Sequence, residues 1–320
     1  MKNIGKEKAL QMLEQMIRVR RFEEGCLKSY QQKFITGFCH TYIGQEAVAV
    51  GAMAHLTPTD AYVTSYRCHA QGLIGGLTSR EVMAEMFGKI TGCVRGKGGS
   101  MHVFSKKNNY LGGHGIVGGQ IPIGLGAAFA LKYEEKEGVA LTFFGDGASM
   151  QGTFHESLNL ASLWDVPVIF ICENNQYGMG TSNDRALANP QVSDFAAAYK
   201  MKGYEVDGMN LEASYKAFGE IIADCKKNSR PALVNVTTYR YQGHSVSDAG
   251  LYRTKDEVKC WKEKDPINSF YKSMEEQGWI DEEGYKALDK EMKAEVKDAL
   301  DFAKESPWPP MDELTNHVYA

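Results

Sequence analysis

The sequence predicts an α/β fold: an open, mostly parallel sheet with helices on both faces. Two observations carry this. Apolar runs at 139–144 (VALTFF), 167–172 (PVIFIC) and 232–236 (ALVNV) have the length and unbroken hydrophobicity of strands buried on both faces. Between the first two lies GDGASMQGTFHESLNLASLWDV, where Phe154, Leu158 and Ala161 recur at i, i+4 and i+7, one face of a helix. Strand, loop, helix, strand is a βαβ unit with a right-handed crossover.

The other elements follow in chain order. The opening MKNIGKEKALQMLEQMIRVRRFEE has charges throughout and predicts an amphipathic helix. It lacks the apolar centre of a signal peptide, and its acidic residues speak against a transit peptide. That favours a cytoplasmic protein, a bacterial one or an organellar chain after processing. Residues 122–138 predict a helix with Pro122 in its first turn and Gly138 past its end. Residues 194–202 and 211–226 also predict helices. YRYQGHSVSDAGLYRT, 239–254, has no periodicity and predicts a mobile loop. From Lys255 the chain is charged and helical until SPWPP at 306–310. The expected organisation is one α/β domain over 1–254 with a helical extension of the same domain over 255–320.

Composition narrows the function. At 320 residues, 43% hydrophobic and 24% charged, the chain can bury a sizeable core. Lys and Arg number 36 against 40 Asp and Glu, so the net charge is −4 and a dedicated nucleic-acid binder is disfavoured. No apolar run reaches the ~18 residues of a membrane span. Seven cysteines without a C-x-x-C motif read as free thiols, which excludes a disulfide scaffold or a zinc finger. Between Gly88 and Gly126 stand 12 of the 33 glycines. That density favours loops that bring backbone close to a ligand over plain turns.

The chemistry concentrates at two strand ends. Gly145-Asp146-Gly147 follows one predicted strand, and Asn174-Asn175 ends the next. Both reach the same side of the sheet, where ligands of doubly wound folds bind. A carboxylate and an amide oxygen are hard ligands suited to Mg²⁺, which often completes its shell with phosphates. The flanking glycines admit a phosphate beside the start of a helix near Gly152. A lone GDG also occurs in turns, or with its Asp as a helix cap; paired with Asn-Asn at this spacing, it is far more specific.

GDG, a spacer and NN resemble the thiamine-diphosphate-binding motif. RVRRFEE, FCHTYIGQEAVAVG (38–51), SYRCHAQGL (65–73), GKGGSMHVF (96–104), GGHGIVGGQIPIGLG (112–126), CENNQYGMGTS (172–182) and YRYQGHSVSD (239–248) extend the likeness over nearly the whole chain. Together they resemble the alpha subunits of two-component pyruvate dehydrogenases, in the thiamine-diphosphate-dependent 2-oxo acid dehydrogenase family. The resemblance implies a thiamine-diphosphate-binding fold. It also implies an α₂β₂ heterotetramer that decarboxylates a small 2-oxo acid, pyruvate, and passes the acetyl group to the lipoyl group of an acyltransferase. Acetoin and branched-chain 2-oxo acid dehydrogenase alpha subunits are the alternatives; GGSMH and GGHGIVGGQ fit the pyruvate and acetoin enzymes better.

Residue by residue, the resemblance implies Mg²⁺ ligation by Asp146, Asn175 and the carbonyl of Tyr177. Gly147 and Ala148 would contact the diphosphate. Tyr66 and Arg67 would face its phosphate end, a natural task for a guanidinium fork. Gly115 and Val117 would meet the aminopyrimidine through backbone groups. His40 and His244 match histidines near the thiazolium, where imidazole serves as proton shuttle; His244 also counts among the cofactor contacts. His69 and His114 share these motifs without a defined role, His102 is open, and His55, His155 and His317 are expected to be ordinary hydrogen-bonders. Gln242 stands where eukaryotic members often have a further His, and no Ser lies between Ser247 and Tyr252. Phospho-regulation is therefore not expected, although Ser245 matches a regulated position.

Residues 113–118 also fit G-x-G-x-x-G, the dinucleotide fingerprint, which needs a strand just ahead of it. The preceding SKKNNYLG is polar and lacks β alternation, so no strand is expected and a nicotinamide dehydrogenase is set aside. A non-catalytic paralogue is disfavoured because every ligand position is intact. One part is missing: activation of thiamine needs a carboxylate on the pyrimidine, and no second α/β domain follows Thr254. The resemblance puts that Glu on a beta subunit. Glu46 is the local competitor, but it is read as opening a helix.

Overall fold

The computed structural model describes residues 4–316 and Val318. Helix α1 (Lys6–Gln31) buries Met12, Met16, Phe22 and Cys26 along one stripe. The short α2 (Glu46–Met53) is buried on all sides. Then come β1 (Ala61–Ser65), α3 (His69–Ile74) and α4 (Ser79–Met86). Helix α4 begins with a capping box: Thr78 accepts from the Glu81 N–H while Glu81 accepts from the Thr78 N–H. Next are β2 (Tyr110–His114), α5 (Gln120–Tyr133), β3 (Ala140–Gly145), α6 (Gly152–Leu163) and β4 (Val168–Asn174). A hairpin of β5 (Tyr177–Gly178) and β6 (Thr181–Ser182) leads to α7 (Asn183–Ala186) and α8 (Phe195–Ala198). The chain continues through β7 (Lys202–Asp207), α9 (Leu211–Asn228) and β8 (Ala232–Thr237), and ends in α10 (Lys255–Glu263), α11 (Pro266–Glu276) and α12 (Glu282–Glu305).

Six strands form one sheet in the order β2-β1-β3-β4-β8-β7, every pair parallel. The expected βαβ unit is β3-α6-β4, in register from Ala140 opposite Val168 to Gly145 opposite Glu173. Helices cover both faces. Phe144 and Phe170 pack under α5 and α6 on one side; Phe143 and Ile171 pack under α1, α2 and α9 on the other. The C-terminal α12 lies along α1 and α4, with Val296, Ala299 and Ala303 in the same core as Phe22 and Met83.

Order in the sheet places the site. From β1 the chain moves outward to β2; from β3 it moves the other way, to β4. A crevice opens at such a reversal, beyond the carboxyl ends of β1 and β3.

Three strands of the six-stranded sheet, β1, β2 and β7, and the β5–β6 hairpin were not expected from sequence. β2 corrects the argument about 113–118, because a strand does precede that motif. Its Tyr110 ring stacks on Tyr62 of β1 at 4.5 Å and its hydroxyl meets Thr64 at 2.7 Å. The pairing comes from β1, which SKKNNYLG alone does not reveal. The nicotinamide reading fails on topology instead: β1 lies between β2 and β3, so the strands flanking α5 are not neighbours. The helix expected over 194–202 ends at Ala198, Lys200 takes a left-handed conformation (φ 54°), and β7 begins at Lys202.

Candidate functional site

A cavity of about 800 Å³ opens at the carboxyl ends of β1, β3 and β4. The residues expected there all border it. Tyr66 and Arg67 leave β1, and Gly115 and Val117 lie between β2 and α5. Asp146, Gly147 and Ala148 leave β3, Asn175 and Tyr177 leave β4, and His40 and His244 come from two irregular segments.

Oxygen atoms converge at the β3 and β4 ends. Asp146 is buried, and burial pushes its carboxyl up to about 6 against the opposing pull of Arg240 and of backbone N–H groups. The Asn175 side chain donates Nδ2–H to Gln45 Oε1 at 3.2 Å, which turns its own oxygen toward the cavity side. There the Arg240 guanidinium lies 3.4 Å from Asn175 Oδ1 and 3.5 Å from the Tyr177 carbonyl oxygen. One planar group reaches both oxygens, so both face one point. These contacts are long, which leaves lone pairs free for a hard cation. The Tyr177 hydroxyl points away, donating to Glu257 at 2.9 Å, so its carbonyl is what faces the site.

Two guanidiniums are buried here without a carboxylate partner among the described residues. Arg67 donates only to the carbonyls of Thr41 (2.6 Å) and His244 (2.8 Å). Arg240, 1% exposed, donates to the Met179 carbonyl at 2.5 Å and to the Tyr252 hydroxyl at 3.2 Å. Burial, then Arg67, lowers its pKa to about 10. Buried cations lacking an anion suit an anionic ligand.

The two histidines meet. The His40 and His244 rings stand 5.1 Å apart, edge to face, with Tyr66 4.5 Å from His40 and 5.6 Å from His244. Burial and then the Arg67 charge hold both rings neutral, His40 down to about 2 and His244 to about 4. His40 Nδ1 and Gln120 Oε1 are buried at this cavity with no hydrogen-bond partner. Glu173 also borders it, but its carboxylate accepts from the Tyr42 hydroxyl and from Gln71, and burial raises it to about 7.

The glycine-rich stretch divides in two. Gly115, Val117 and Gly118 border the cavity. Residues 92–99 instead wrap an internal anion: the buried Glu85 carboxylate accepts the N–H groups of Val94, Gly96, Gly98 and Gly99 at 2.7–3.2 Å. Gly96 and Gly99 have positive φ there, so those glycines serve the protein's own turn.

The remaining histidines sort simply. His55 contacts the Tyr215 carbonyl, His155 the Tyr199 hydroxyl and His102 the Gly113 carbonyl. His114 reaches only the Leu111 carbonyl, at 3.4 Å, and His317 lies outside the described residues. Segment 239–254 is irregular as expected, yet tied down. Arg253 donates to the carbonyls of residues 240, 241 and 242, and Asp248 accepts from His244 N–H, Gly250 N–H and the Tyr252 hydroxyl. Sequence reasoning missed Arg240, Gln45, Glu173 and Gln120. All four stand inside quoted motifs, but no spacing marked them as inward-facing.

Comparison with known proteins fits this geometry. The sequence profile of the dehydrogenase E1 component family matches residues 14–312. The chain belongs to that family. Its relatives include the protein named pyruvate dehydrogenase E1 component subunit alpha of Rhizobium meliloti, 46% identical over 315 residues that cover 98% of this chain and 90% of that one. The protein of the same name in Rickettsia bellii is 42% identical, covering 98% and 96%. The somatic, mitochondrial form of Homo sapiens is 44% identical, covering 99% and 81%. Membership in the dehydrogenase E1 component family implies thiamine diphosphate as cofactor, in line with the motif resemblance. No helix among the described residues of this E1 chain is long and apolar enough to cross a membrane.

Proposed function

We propose that the chain is the alpha subunit of a pyruvate dehydrogenase and supplies the diphosphate and metal half of its thiamine-diphosphate site. The carrying observation is the convergence of Asp146, Asn175 Oδ1 and the Tyr177 carbonyl beside two buried guanidiniums without carboxylate partners. Three hard oxygens suit Mg²⁺, and Arg67 and Arg240 suit the diphosphate. Gly147 has no side-chain neighbour within van der Waals reach, so phosphate oxygens can approach its backbone. When bound, thiamine diphosphate supplies a nucleophilic carbon and an electron sink for loss of carbon dioxide from a 2-oxo acid.

The chain's own residues then orient and move protons. Neutral His40 and His244 can each accept a proton at a ring nitrogen; His244, the less depressed, is the stronger base, while His40 presents an unpartnered Nδ1. Tyr66 packs against both rings and holds their relative angle.

The activating carboxylate comes from elsewhere. Glu46 does open α2, but its two oxygens take the Arg20 guanidinium at 2.6 and 3.0 Å and the Gly44 N–H. Glu173 is held by Tyr42 and Gln71. A beta subunit supplying that Glu, an α₂β₂ assembly, a lipoyl-bearing acyltransferase as acceptor and a cytoplasmic setting complete the reading.

The test is calorimetric titration of thiamine diphosphate and Mg²⁺ into wild type and Asp146→Ala. The variant should remain folded and lose about 100-fold or more in affinity. Equal affinities in the two proteins would refute the assignment.

A further inference from the structure

Segment 39–45 carries His40 but forms no helix or strand; other elements hold it residue by residue. The Val246 N–H donates to the Cys39 carbonyl (2.9 Å), Arg67 to the Thr41 carbonyl, and the Tyr241 N–H to the Ile43 carbonyl (3.0 Å). The N–H groups of His40 and Tyr42 go to opposite ends of one buried chain. Tyr42 N–H donates to Glu23 Oε1 at 2.9 Å. Glu23 Oε2 accepts from His69 Nδ1 at 2.9 Å. His69 Nε2 meets the Ser100 hydroxyl at 2.9 Å and the Ser100 carbonyl at 3.0 Å. Ser100 Oγ in turn accepts from the His40 N–H at 3.3 Å. Glu23 and His69 are 0% exposed and Ser100 5%. None of the three borders the cavity.

We propose that Glu23, His69 and Ser100 form a positioning clamp that grips the backbone on both sides of Thr41 and so fixes the His40 ring against Tyr66 and His244. The polarity is consistent throughout. The Glu23 carboxylate can only accept, so His69 Nδ1 carries the proton. On the other side Nε2 either donates to the Ser100 oxygens or accepts the hydroxyl proton. In both cases a lone pair of Ser100 Oγ remains for the His40 N–H. Ser, His and Glu in this order resemble a hydrolytic triad. Here the hydroxyl oxygen is spent on a backbone N–H and has no access to the cavity, so the group orients rather than attacks. Ser100 is itself delivered by the 92–99 turn wrapped on Glu85. Full satisfaction of a buried network gives it one geometry.

The catalytic value of the clamp rests on the proposed function, and the test separates the two. The full chain is labelled at histidine rings, and the His40 resonance is assigned with His40→Gln. Turnover is measured after assembly with the beta subunit. Ser100→Ala and His69→Asn should each move the His40 resonance and lower kcat about tenfold, since misplacement of about 1 Å can cost 10²-fold. Cofactor affinity should fall less than kcat, because the substituted residues touch no diphosphate contact and Arg67 keeps its bond to the His244 carbonyl. The double variant should be no worse than either single one, as for groups acting as a unit. Ser100→Thr, which keeps the hydroxyl, should restore both readouts. An unmoved resonance with normal kcat, or losses that multiply in the double variant, would overturn the clamp. A moved resonance in an assembly whose wild type decarboxylates no 2-oxo acid would keep the clamp and overturn the function.

Discussion

At His40 and His244 desolvation decides the charge. An exposed imidazole titrates near 6.5, but burial and the Arg67 guanidinium hold these rings down to about 2 and about 4. Between about 4 and 6.5 the folded protein therefore binds fewer protons at His244 than the unfolded chain does. The stability this contributes is complete above pH 6.5 and is lost as pH falls through that window. Ring resonances of both histidines should stay in the neutral form from pH 8 to pH 5, and His244→Gln should flatten the fall of Tm over pH 6.5 to 4. A ring that gains its proton near 6.5 would contradict the geometry. At this scale the sequence was informative where spacing carried meaning. Asp146 and Asn175, 29 residues apart, marked two strand ends. Arg240 was not legible, because which charged residue of YRYQGH turns inward depends on where Met179 and Tyr252 place their oxygens.

Among elements, α5 shows what a missing side chain does. A Cβ on Gly124 would lie 1.8 Å from Thr142 Oγ1 and 2.9 Å from Thr142 Cβ on β3. Gly124→Ala should therefore lift α5 from the sheet at a cost of about 1–3 kcal/mol, and should weaken cofactor binding too, since residues 115–118 lead directly into that helix. Adding Thr142→Ala, which removes Oγ1 but leaves Cβ 2.9 Å away, should restore part of the lost Tm; no recovery would place the strain elsewhere. Strands buried on both faces, β3, β4 and β8, were readable as apolar runs. The edge strands β2 and β7 were not. Glycine and histidine make up three of the five residues of β2 (YLGGH), and β7 alternates with exposed charges (KGYEVD), so backbone pairing with a neighbour makes each a strand.

Over the whole molecule, a half-buried cation is one of the ties between the C-terminal helices and the site. Arg20 of α1 grips Glu46 beside the His40 segment and also Asp265, which caps α11. Glu46 is thus neutralised as a potential activating acid, and the structure describes no second α/β unit that could carry another. The full chain alone, at saturating Mg²⁺ and thiamine diphosphate, should show no decarboxylation, and the beta subunit should restore it. Turnover by the chain alone would return Glu46 to candidacy. The bridging of Glu46 and Asp265 by Arg20 was not legible in the sequence, because Arg20 and Asp265 are 245 residues apart.

Consider how late the His40 segment can take shape. Its partners stand at residues 23, 67, 100, 173, 175, 241 and 246. A growing polypeptide lacks the last of them until three quarters of it has been made, and a refolding one must close every intervening loop first. The binding pocket is therefore a product of completed folding and cannot act as its nucleus. Cofactor should leave the refolding rate unchanged and slow unfolding, as expected for contacts absent from the transition state. Stopped-flow refolding with and without Mg²⁺ and thiamine diphosphate reads this directly, and acceleration of the folding limb would show that the pocket forms early.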